Sequence, residues 1–127
     1  ADVFLGTANG VTVARLLGAD PIALFRRRSL RGYLDAAGHA VSPTQRGDPE
    51  VPQFSGGFTV REYGSSHADG LDAIQLEIAA GVRNDAKRSG ALIEVLAYAF
   101  GNLATLWADT HTLTAAVTSR SNVATRC

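Results

Sequence analysis

Eight residues, "LDAIQLEI" at positions 71–78, constrain the fold more than any other stretch. Side chains of an extended chain alternate between two faces. Ile74, Leu76 and Ile78 therefore share one side, and Ala73, Gln75 and Glu77 the other. The alternation predicts a β-strand with one apolar face, and a strand implies a sheet. Two readings account for Gln75 and Glu77 on the second face. One is an antiparallel strand with one wet side. The other places Glu77 at the C-terminal end of a central strand, where open α/β sheets gather their ligands. A partly desolvated carboxylate there is suited to carrying protons near neutral pH.

The other elements follow from caps, breakers and spacing. "ADVFLGTANG" predicts a buried strand over Val3–Leu5 and a turn at Asn9-Gly10, both residue types that tolerate positive φ. A short helical turn follows through Val13 to Leu17, closed by Gly18. Asp20 as N-cap and Pro21 at the first helical position predict a longer helix. Ile22, Phe25, Leu30, Tyr33, Leu34 and Ala37 keep close to one face of it, and Gly38 supplies its stop. Arg26, Arg27, Arg28 and Arg31 read as a solvated helix face, with an anionic partner as the minority alternative.

"HAVSP" predicts a short strand ended by Pro43, and residues 43–57 hold three of the four prolines and three glycines, a loop. "FTVREYG" fits a strand or a turn of helix equally. A long helix is expected over 88–108, because Leu92, Leu96, Phe100, Leu103 and Trp107 form a stripe at helical spacing. Residues 110–127, rich in Thr, Ser and Ala, read as an extension of a 1–109 domain, disordered or docked on a partner. The element order predicts an α/β fold: a layered mixed sheet flanked by helices.

Composition bounds the function classes. With 127 residues, 46% hydrophobic, the chain suffices for one core. Lys plus Arg and Asp plus Glu are both 12, so the net charge is zero. That balance argues against a nucleic-acid partner held by phosphate neutralisation. No apolar run reaches the length of a membrane span. A single cysteine, Cys127, allows no internal disulfide. The chain contains no methionine, and two or three strands cover such helices poorly. The expectation is a piece of a larger domain.

Nucleophile and metal motifs are sparse. His39, His67 and His111 stand singly, without metal-ligand spacing, and each reads as an exposed loop histidine. Ser65-Ser66 beside His67 are neighbours in a loop, and such residues rarely point at one another. "GDPEVPQFSGG" matches no phosphate loop.

"FSGGFTVREYG", the run to "GLDAIQLEI", the following "GVR" and the opening "DVFLGTANG" together resemble the C-terminal half of the N-formylglutamate amidohydrolases. These are zinc-dependent α/β hydrolases similar to metallocarboxypeptidases. The likeness spans about residues 2–83 in the family's motif order. It implies part of a larger phosphorylase/hydrolase-like zinc-peptidase domain that releases the acyl group from an N-acyl amino acid such as N-formylglutamate. Glu77 of "QLEI" matches the acid that takes a proton from zinc-bound water and passes it to the departing amine. The resemblance makes Arg61 and Arg83 carboxylate partners of the substrate, where the bland reading of each is a surface ion pair. It also places Gln75 at the substrate, with Gly56 and Gly57 letting the backbone approach it closely.

The family's "PHSG"-like and Asp-x-His metal segments are absent from the 127 residues. Zinc ligands are therefore expected outside this chain, in an N-terminal half or a partner chain. The alternative is a catalytically inactive, hydrolase-like structural or interaction subunit of a larger assembly.

Overall fold

The computed structural model describes residues 1–103. Its three strands are β1 (Val3–Gly6), β2 (Val41–Ser42) and β3 (Gln75–Ile78), in the order β2-β1-β3. β1 runs parallel to β2, with Val3 opposite Val41. It is antiparallel to β3, with Phe4 opposite Glu77, Leu5 opposite Leu76 and Gly6 opposite Gln75. The helices are α1 (Ala14–Ala19), α2 (Leu30–Ala36), α3 (Phe58–Tyr63), α4 (Ala80–Arg83) and α5 (86–103). The expected mixed α/β architecture is present. Among the described residues, no helix is long and apolar enough to cross a membrane.

The alternation along the strands decides what each face of the sheet meets. Val3, Leu5 and Val41 point into the core with Leu30 and Leu34 of α2, Val82 of α4, and Leu92 and Ala99 of α5. Leu76 and Ile78 pack against the same cluster, as their period of two requires. Complete burial of a side chain such as Leu34 contributes roughly 1.5–3 kcal/mol. On the other face the 52–57 segment lies directly over the sheet. Phe54 packs on Phe4 with ring centroids 4.6 Å apart. A Cβ on Gly6 would come within 3.0 Å of Phe54 O and Gly56 N, so only glycine permits this approach.

The helix expected from Asp20 to Gly38 is broken in two. Asp20 accepts from the Ile22 amide at 3.2 Å and pairs with Arg26, closing a short turn whose helical part is Ala23–Phe25. Arg26 is extended (φ −73°, ψ 156°), and the helix restarts after Ser29, whose hydroxyl accepts from Gly32 N at 3.0 Å. Two cap signals thus stand within ten residues, and the second opens α2. Gly38 does supply the stop, at φ +85°. Buried Arg31 departs from the expected solvated face: its guanidinium donates to Pro43 O and Thr44 O and stands 5.0 Å from the Phe25 ring centre.

Elsewhere the ambiguity of "FTVREYG" is resolved as helix, α3. The strand expected over 71–78 is regular only at Gln75–Ile78, and Leu71 makes an isolated bridge to Gly64. α5 begins two residues before its expected start, where Asp85 accepts from the Lys87 and Arg88 amides, each at 3.0 Å. Its buried stripe differs from the expected one. Leu92 and Ala99 are buried and Val95, Leu96 and Leu103 partly so, while Phe100 is 50% exposed. Eight residues of α-helix turn Phe100 about 80° away from Leu92. Trp107, the end of the expected helix and the 110–127 extension lie outside the described residues.

Candidate functional site

β3 is an outer strand of the described sheet rather than its centre, and Glu77 is the next-to-last residue of that strand. Its register opposite Phe4 puts Glu77, half-buried, on the face that carries Phe54. Gln75 lies on that face too and makes the decisive contacts. Its side-chain oxygen accepts from Gly57 N, and its Nε2 donates to Glu77 Oε1 at 2.6 Å. The fold therefore joins Gly57, Gln75 and Glu77 in one hydrogen-bonded line, which fixes the rotamer of both β3 side chains.

Gly56 adopts φ +101° and brings the chain across Gly6, so its backbone role is steric as well as conformational. Gly57 precedes α3 and acts through its amide on Gln75. Arg61 is exposed on α3 and is one of the residues that line a cleft shared with Asn9, Ser55 and Ser66. Arg83, exposed at the end of α4, donates to Ile78 O at 2.9 Å. Among the described residues, no hydrogen bond or ion pair joins either arginine to Glu77.

A second carboxylate, Glu50, is more deeply held and escaped sequence reasoning. Thr7 N approaches both its oxygens, at 2.9 and 3.0 Å; Asn9 N donates at 3.1 Å and Ser55 Oγ at 2.7 Å. The Thr7 hydroxyl donates as well. In return, Glu50 N donates to Asn9 Oδ1 at 2.9 Å. Ala8, Asn9 and Gly10 have φ of 51°, 53° and 94°, a run of left-handed backbone that curls the turn around this carboxylate. The available signal was Asn9-Gly10, a turn able to present amides to an anion. The anion itself is 41 residues away from Asn9, and nothing local in "DPEVP" marks it as buried.

The histidines and serines do other work. His39 Nδ1 lies 3.9 Å from Asp2, and His67 Nε2 contacts Arg61 O at 3.1 Å. Ser65 donates to Asp72 at 2.7 Å and accepts from Arg15 N, so it is not paired with His67. Among the described residues no three His, Cys, Asp or Glu side chains cluster as metal ligands. These residues by themselves do not fit a zinc ion. No family model, curated protein or solved structure matches the chain.

Proposed function

We propose that this chain supplies the proton-carrying carboxylate of an amidohydrolase acting on N-acyl amino acids such as N-formylglutamate, within a larger zinc-peptidase-like domain. One observation carries the reading. The resembling segments "SGG" and "QLEI" are in direct contact through Gly57, Gln75 and Glu77, and the third, "DVFLG", packs beneath them through Phe4 and Gly6. Segments far apart in sequence thus form one unit around the residue that the resemblance makes catalytic.

In this reading Glu77 takes a proton from the water that attacks the acyl carbon. It returns that proton to the amine nitrogen as the C–N bond breaks. Gln75 steadies Oε1 and leaves Oε2 for the water. Arg61 and Arg83 are assigned to the substrate carboxylate, which a guanidinium can hold through two parallel hydrogen bonds. Zinc, where the resemblance requires it, is held by a segment or partner chain other than residues 1–103, and no step is assigned to it here.

The test is formate release from N-formyl-L-glutamate by the natural assembly, with Glu77 intact and with Glu77→Gln. Loss of a positioned base and acid is expected to lower kcat about 10²–10⁴-fold. Equal rates for the two proteins would overturn the reading. A second reading, an inactive interaction subunit, is favoured by Ile93, Tyr98 and Phe100, which leave α5 with exposed apolar area. An assembly that contains the chain but hydrolyses no N-acyl amino acid would select it.

A further inference from the structure

We infer that the cavity at the carboxyl ends of β1 and β2 binds a small monocarboxylate with an apolar body, anchored by Arg46. The cavity measures about 320 Å³, and its walls include Leu5, Leu17, Leu24, Phe25 and Pro43. An apolar cavity of about 150 Å³ accepts a benzene ring. Twice that volume holds a ring and a short acid arm. Ligand sites in α/β sheets favour this end of the strands, with mostly apolar walls and a few polar groups. Leu5 faces the side of the sheet opposite Phe4, whereas Glu77 shares the Phe4 side. The inference is therefore independent of the hydrolase reading.

The charged residues of the lining select the ligand. They are Arg31, Arg46, Asp48 and Glu50. Arg31 is occupied by Pro43 O, Thr44 O and, at 3.1 Å, the Asp35 carboxylate. Glu50 is saturated by the Thr7, Asn9 and Ser55 donors. Asp48 accepts from the Gln45 amide at 3.1 Å and from its side chain at 3.4 Å. Arg46, exposed beside the apolar wall, is the lining charge with no hydrogen bond or ion pair among the described residues. Its planar fork matches a carboxylate bidentately. Asp48 next to it repels a doubly charged anion such as phosphate about twice as strongly as a single carboxylate, and the apolar wall would leave the doubly charged anion the more undersolvated.

The experiment titrates 3-phenylpropanoate, and separately 3-phenylpropanamide, into the full chain while ¹H–¹⁵N NMR follows the amides of Leu5, Thr7 and Leu24. Saturable shifts at these residues are expected, with the acid binding about tenfold tighter than the amide, the scale of one charge-assisted hydrogen bond. Arg46→Gln should bring the acid down to the affinity of the amide and leave the amide unchanged. Leu24→Trp should fill the cavity and abolish both, with its fold checked in the same spectra. No saturable shift at the three residues, equal affinity of acid and amide for the unmodified chain, or full binding to a folded Leu24→Trp protein would each overturn the inference.

Discussion

Replacing Glu50 by alanine removes the acceptor shared by the Thr7 and Asn9 amides and the Thr7 and Ser55 hydroxyls. A buried donor left unpaired costs about 1–3 kcal/mol. Glu50→Ala is therefore expected to lose at least about 3 kcal/mol of stability, read from the urea midpoint. Glu50→Gln keeps the shape but offers one acceptor oxygen where two are used, and should fall between, at about 1–2 kcal/mol. Gly6→Ala forces a methyl into Phe54 O and Gly56 N, backbone atoms that cannot swing aside. Overpacking of this kind costs about 1–3 kcal/mol, again read from the urea midpoint. None of this was legible locally. Glu50 resembles any acid in a proline-rich loop, and Gly6 any glycine after a strand, because the partners of both come from distant segments. Gln75 and Glu77 were legible as a pair, since a period of two needs only their neighbours.

Among the elements, β3 was readable from its period of two, β1 from its short apolar run and α5 from a helical stripe of which Leu92, Leu96 and Leu103 do pack on the core, while α2 was misread because Asp20 and Ser29 are both sound caps. In the fold Arg26 turns back to Asp20, and Ser29 starts the helix. α5 carries a testable weakness. Gly90 stands in the helix with open space where a Cβ would go, so Gly90→Ala should raise stability by about 1 kcal/mol, measured by thermal unfolding. The anchoring of α5 to β1 is expected to weaken in acid. Asp2 at the start of β1 accepts from Ala40 N at 3.2 Å, and Arg88 of α5 reaches it at 2.7 Å. The Ala40 amide first, and the Arg88 charge after it, hold the Asp2 carboxyl below its ordinary range despite opposing desolvation. A depressed folded-state pKa gives stability that is complete above the unfolded value, about 3.9, and is lost as pH falls through the folded one. Asp2→Asn should accordingly be less stable than the unmodified chain at pH 7, with the gap narrowing toward pH 3, by urea midpoints at each pH.

At the scale of the whole molecule, an α/β architecture was legible because strand and helix signals alternate along the chain. The use of both faces of the sheet was not. Val3 and Leu5 face the helices while Phe4 and Gly6 face the 52–57 segment, so β1 is covered on each side. Glu77 and the Arg46 cavity consequently stand on opposite sides of one thin sheet. A Glu77→Gln protein should bind 3-phenylpropanoate as the unmodified chain does, within about twofold, by the same NMR titration, since sites with no shared partners act independently. The left-handed turn at Ala8–Gly10 has a consequence of its own. Curled amides of this kind commonly capture free phosphate or sulfate, but here the chain delivers its own anion, on a tether that keeps the effective concentration near the millimolar scale or above. Inorganic phosphate must compete with an occupant that never leaves the vicinity, and physiological salt should pass this turn without displacing it.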